Sequence, residues 1–226
     1  MKKRIKIQDA LIFIAVILLI LLTKFVIPDW KKEPLEELLD TLGIVFVLFG
    51  FLLRIVARGY KEEMSQGGNR LVTNGPYCLM RNPMYFGTLL IGIGITSVLL
   101  KLWSVPIFLI ICLFIYLPQI NREEKILLKR FGEDYKNYCK FSPKYFPNIR
   151  RLLNLKAYVP SLKFSWIKKE FFSLILTVIA IFIIEIWQDV ALFGFRELFD
   201  EFLELSLVIM VFIVTIIIFV YGKHDN

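Results

Sequence analysis

NRLVTNGPYCLMRNPMYFG, residues 69 to 87, is a polar island in an apolar chain. It is rich in Gly, Pro and Asn, and it separates two long apolar runs. Asn74-Gly75-Pro76-Tyr77 has the chemistry of a turn, because glycine reaches positive φ and proline presets φ near about −65°. Asn82-Pro83 repeats the device, with Pro83 suited to the first turn of a following helix. Such a helix aims its free N–H groups and its positive dipole end out of the apolar layer, where a carboxylate or phosphate can sit.

The rest of the chain sets the solvent. Of 226 residues 57% are hydrophobic and the mean hydropathy is +0.65, where soluble domains run at about 45–50% apolar. A helix crossing a bilayer needs about 20 mostly apolar residues. The chain offers such runs at Ala10–Ile27, Leu38–Ala57, Tyr85–Leu100, Leu102–Leu117, Phe171–Trp187 and Leu205–Tyr221. The fold class is therefore an all-α integral membrane protein of about six spans. Only Lys101 separates the third and fourth runs, which predicts a tight helical hairpin. Gly43 and Gly50, seven residues apart, share one face of the second span and permit close helix packing. Arg54, near its end, is expected to face the interior or the headgroups. The first run ends in Lys24 and Pro28 without a small-residue cleavage pattern, so it reads as a retained span.

Charge orients these spans. Residues 1–9 carry four basic and one acidic side chain, 58–81 four and two, and 121–169 thirteen and four. The intervening loops 28–37 and 188–204 are acidic, with two basic against four acidic and one against five. Basic loops stay on the cytoplasmic side, so both termini and the polar island are expected there, in the cytoplasmic membrane of a prokaryote. The net charge of +8 is thus placed for topology and for anionic headgroups; residues 150–169, with Trp166, are expected to lie on them. No nucleic-acid partner is expected. Nor is a metal: Cys78, Cys112 and Cys139 have no ligand spacing, and the single histidine is His224 in the tail.

A second polar cluster, Arg122-Glu123-Glu124, follows the hairpin and falls on the same side. It opens residues 121–140, NREEKILLKRFGEDYKNYCK, which read as an amphipathic surface helix weakened at Gly132 and ended by Pro143 and Pro147. Adjacent glutamates project about 100° apart on a helix, so one is expected in a pocket and the other paired with Arg122 or Lys125. Tyr77 and Tyr85 offer flat rings for stacking a purine or closing over a cation. The bland alternative is a solvated helix start whose acids complement the dipole.

LVTNGPYxxxRNPMYFG, then a hairpin, then EExxLLxxFGxxYxxYxxxSPxxFP, over residues 69–147, resembles the isoprenylcysteine carboxyl methyltransferase family, membrane enzymes that use S-adenosylmethionine. The resemblance implies cofactor contacts at Asn69, Arg70, Leu71, Val72, Tyr77, Asn82, Pro83, Met84, Tyr85 and Glu123. Two positions depart. The family's usual His before Pro is Asn82, and the NPMY form is similar to that of phosphatidylethanolamine N-methyltransferases. Those enzymes also carry a GxG, which Gly92-Ile93-Gly94 echoes, although a lone GxG in an apolar helix is weak evidence and close helix packing is the better explanation of the two glycines. An Arg that the family carries one turn before the first Glu is Gln119, with Arg122 one turn later.

The expected activity is methyl transfer from S-adenosylmethionine to an isoprenoid or other lipid-linked acceptor, with Arg122, Glu124 and Tyr85 as catalytic candidates. A carboxylate acceptor needs no base; an ammonium acceptor must first lose a proton. Phospholipid N-methylation is the alternative within the same chemistry, and a non-catalytic lipid- or sterol-binding protein the alternative outside it. The core is expected over residues 1–160, with 161–226 a C-terminal pair of spans of unassigned role.

Overall fold

The computed structural model describes residues 34–152, 160, 162–193 and the single positions 206, 210 and 214. The expected first span, Ala10–Ile27, lies outside the described residues, as does all but those last three positions of Leu205–Tyr221. Every regular element among the described residues is a helix: α1 Pro34–Met64, α2 Pro76–Leu79, α3 Pro83–Leu99, α4 Ser104–Phe141, α5 Ile149–Leu152 and α6 Phe164–Phe193. Two stretches, Leu38–Met64 and Ser104–Phe141, are long and apolar enough to cross a membrane; α3 and residues 173–184 are apolar but shorter.

Glycines decide how α1 meets α3. Gly50 and Gly43 face Gly87 and Gly94, also seven residues apart, so the two helices run antiparallel. A methyl group at Gly50 would lie 2.6 Å from the Gly87 carbonyl oxygen, nearer than any real side chain is tolerated. The expected close-packing face of the second span is thus real, and its partner is α3. The Gly92-Ile93-Gly94 pair serves packing as well, Gly94 against α1 and Gly92 against the Phe108 ring of α4.

The tight hairpin is present, with α3 and α4 joined across residues 100–103. One expectation needs correction. Residues 121–140 do not form a separate surface helix; they continue α4 through Pro118. A proline inside a helix removes one backbone hydrogen bond, which a long apolar helix packed among neighbours tolerates. The break comes at Gly132, whose φ of 50° and ψ of −119° suit glycine alone. The outer face of α4 is bare and apolar, with Phe114 77% exposed, as a lipid-facing helix requires.

The expected start of the fifth span also moves. α6 begins at Phe164, not Phe171, and Trp166 is buried rather than lying among headgroups. Its indole fills the space that Gly59 leaves open, and its Nε1 donates to Glu63 Oε1 at 3.1 Å. Further along, Ile181 joins Val47, Phe51, Val98 and Leu99 in one core. The three helices α1, α3 and α6 therefore share a common apolar interior.

Candidate functional site

The polar island folds into a loop over the end of α1. Gln66, Gly67 and Gly68 take positive φ and stop the helix. Gly75, with φ 62°, makes the expected turn, and a side chain there would strike the Tyr60 ring. Pro76 then starts α2, and Asn82 caps α3, which has Pro83 in its first turn. The Asn82 amide does not serve as a side-chain cap; it donates to the Lys144 carbonyl at 3.0 Å.

The second sequence block holds this loop in place. Tyr138 donates its hydroxyl to the Tyr77 carbonyl at 2.8 Å, the Arg81 amide donates to Pro143, and Ser142 donates to Cys78. Tyr77 in turn donates to the Ala57 carbonyl of α1 at 3.3 Å. Burial, reinforced by the charge of Glu123, pushes the Tyr77 hydroxyl above its ordinary value of 10.0 and keeps it neutral. The Tyr-x-x-Tyr spacing puts Tyr135 and Tyr138 on one face, and both are buried against Tyr77 and Ala57.

Between the loop and α4 lies a cavity of about 260 Å³, near the lower end of the roughly 300–1,000 Å³ common for small-molecule sites. All the expected cofactor residues except Asn69 line it. Asn69 is exposed and accepts a hydrogen bond from Arg130, itself on the wall. Of the catalytic candidates, Tyr85 and Glu124 reach the cavity; Arg122 is exposed and does not line it.

Glu123 is held from two sides. Its Oε1 accepts from the Tyr85 hydroxyl at 2.6 Å and from Gln119 Nε2 at 2.8 Å, which leaves Oε2 for a ligand. Glu124 also lines the cavity, correcting the expectation that only one of the pair would. A cavity spread along α4 touches both in spite of their divergence. The partners of Glu124 are likewise not Arg122 or Lys125 but Arg81 at 3.2 Å and Lys144 at 2.8 Å. Burial draws the Lys144 ammonium down, but the bond and charge of Glu124 outweigh this and raise it above 10.5.

Arg81, Tyr135, Tyr138 and Lys61 also belong to the wall, and the sequence reading did not select them. Arg81 and the two tyrosines stand inside the quoted motifs, so their signal was available. Lys61 carries none. The Tyr135 hydroxyl is buried with no hydrogen-bond partner, a group that a bound ligand can satisfy.

Residues 39–134 match the sequence model of a family described as phospholipid methyltransferase. The matched segment is 96 of the 226 residues, somewhat under half of the chain. It takes in most of α1, the loop, α3 and α4 as far as the Gly132 break. The chain is also similar to the protein-S-isoprenylcysteine O-methyltransferase of Dictyostelium discoideum, 30% identical over 43% of this chain and 45% of the relative. That of Xenopus laevis is 28% identical over 54% of this chain and 44% of the relative. The cobalt-zinc-cadmium resistance protein CzcN of Cupriavidus metallidurans is 28% identical over 53% and 54%. The chain spans about half the length of these relatives. No solved structure matches it. The resemblance carried by the two sequence blocks is thus borne out by relatives of the same kind. Among the described residues, no three His, Cys, Asp or Glu gather where they could hold a metal ion.

Proposed function

We propose that this protein is a membrane-embedded methyltransferase that uses S-adenosylmethionine and acts on an isoprenoid or other lipid-linked acceptor. The observation that carries the reading is the cavity, whose wall is built from both motif blocks and combines a carboxylate, aromatic rings and guanidinium groups. These donors suit that cofactor. Glu123 suits its ribose diol, Tyr77 and Tyr85 its ring, and Arg81 its carboxylate, while the orphaned Tyr135 hydroxyl offers a further hydrogen bond. When bound, S-adenosylmethionine supplies a methyl group already activated on a cationic sulfur.

The protein's part is then to align and to exclude water. Leu71, Val72, Met84 and Phe131 give the cavity its apolar walls, and the Tyr85–Glu123 bond fixes the side of it that faces α3. Six spans with both termini and the cavity on the cytoplasmic side are part of this reading, as is a core over residues 1–160 followed by a C-terminal pair of helices. This places a water-soluble donor beside a lipid-soluble acceptor.

Methylation of an aminophospholipid is the second reading, favoured by the family description of residues 39–134 and by the Asn82-Pro83-Met84-Tyr85 form. The Glu123 carboxylate would there face an amine. Calorimetry on the detergent-purified chain tests the cofactor: S-adenosylmethionine and S-adenosylhomocysteine should bind the wild type and lose affinity in Glu123→Ala. A folded sample that binds neither refutes both readings in favour of a non-catalytic lipid-binding role. Methyl transfer to a prenylcysteine analogue against phosphatidylethanolamine then separates the two acceptors.

A further inference from the structure

We propose that Glu170 of α6 is a positioning residue for the cavity, acting through Arg54 and Thr88 on the first turn of α3. The proposal rests on reading the cavity as the cofactor site, and it gives the C-terminal helix a part in that site.

Glu170 is 1% exposed, and a carboxylate taken so far from water must be paired. It is paired twice. Arg54 Nη2 donates to both its oxygens, at 3.1 and 3.3 Å, and Arg58 Nη1 donates to Oε1 at 2.7 Å. The second terminal nitrogen of Arg54, Nη1, donates to Thr88 Oγ1. Thr88 passes its own proton on, donating to the Met84 carbonyl at 3.0 Å. Met84 and its neighbour Tyr85 line the cavity. One hydrogen-bonded path thus runs from α6 through α1 to the turn of α3 that carries Tyr85. The helix surface is shaped for it: a methyl group at Gly87 would lie 2.8 Å from Arg54 Cγ.

Apolar packing would hold three helices together at least as well as a buried ion pair does. What the ions add is register. Should α6 slide or turn on α1, Arg54 loses its partner and the uncompensated charge penalises the shifted state. The same ions therefore set how deep the first turn of α3 sits, and with it the hydroxyl that holds Glu123.

Thr88→Val tests this most sharply, because it keeps the Arg54–Glu170 pair and the side-chain shape while deleting the relay. Full-length protein in detergent is compared as wild type, Glu170→Gln, Thr88→Val and Thr88→Ser, by hydrogen–deuterium exchange across residues 83–90 and by affinity for S-adenosylhomocysteine. Glu170→Gln and Thr88→Val should exchange faster there and bind roughly five-fold more weakly, the weight of one hydrogen bond, with Thr88→Ser close to wild type in both. Unchanged exchange and affinity in Thr88→Val, or an impaired Thr88→Ser, overturns the proposal. A wild type that binds no S-adenosylhomocysteine instead refutes the cofactor reading, and the exchange comparison then decides the positioning role alone.

Discussion

The Tyr85 hydroxyl and Glu123 Oε1 meet at 2.6 Å across 38 residues of sequence. This bond ties the first turn of α3 to the middle of α4, and so joins the two motif blocks at the cavity. A hydrogen bond to a charged group contributes about 1.5–3 kcal/mol. Tyr85→Phe keeps the ring and its edge contact with Tyr116 but frees the carboxylate. S-adenosylmethionine affinity measured by calorimetry should fall by roughly ten-fold or more, and the melting temperature should drop by several degrees.

Arg81 and Arg122 should behave differently. Arg81 lines the cavity and pairs with Glu124, whereas Arg122 is exposed and lies off the wall. Arg81→Ala leaves the partly buried Glu124 with Lys144 alone and should weaken cofactor binding by roughly ten-fold. Arg122→Ala should bind cofactor as the wild type does, so any effect of that change belongs to turnover with acceptor. Calorimetry beside a methyl-transfer assay separates the two.

Gly50→Ala should destabilise by about 1–3 kcal/mol through overpacking, since its methyl group meets the α3 backbone at Gly87. Gly132→Ala meets nothing within 4 Å but must hold a backbone conformation that only glycine adopts readily, a strain of about 1–3 kcal/mol. A thermal melt in detergent, paired with cofactor binding, should show Gly50→Ala losing both and Gly132→Ala mainly some stability.

Alkali should loosen the site before the helices melt. Tyr77 and Lys144 both hold their protons more firmly folded than unfolded, against ordinary values of 10.0 and 10.5. Their contribution is complete below those values and is lost as pH rises through them toward the higher folded ones. The melting temperature should therefore decline above about pH 10, and Tyr77→Phe should flatten the part of that decline due to Tyr77.

Gln119 donates to the carboxylate that Tyr85 also holds. Gln119→Arg places a cation beside Glu123 at the position where the resembled family carries one. If that cation serves a carboxylate acceptor, the variant should gain activity on a prenylcysteine analogue relative to phosphatidylethanolamine. An unchanged ratio in the methyl-transfer assay removes that role from position 119.

Much of this was legible in the residues because it depends on local chemistry. Apolar run lengths marked the helices, Pro83 and Gly75 marked a helix start and a turn, and a seven-residue glycine spacing marked a contact face. The two motif blocks named nearly all of the cavity wall, since fixed spacing on a helix or tight loop fixes which side chains point together. Tertiary structure alone decided the partners. That Glu124 takes Arg81 and Lys144 rather than its neighbours follows from the loop and residues 142–148 closing over α4. That Trp166 is buried and Glu170 bridges two arginines follows from α6 packing antiparallel on α1, more than a hundred residues away in sequence. A basic, aromatic segment reads the same whether it lies on headgroups or against a glycine, because composition fixes a side chain's solvent preference while only the packed backbone fixes which surface satisfies it.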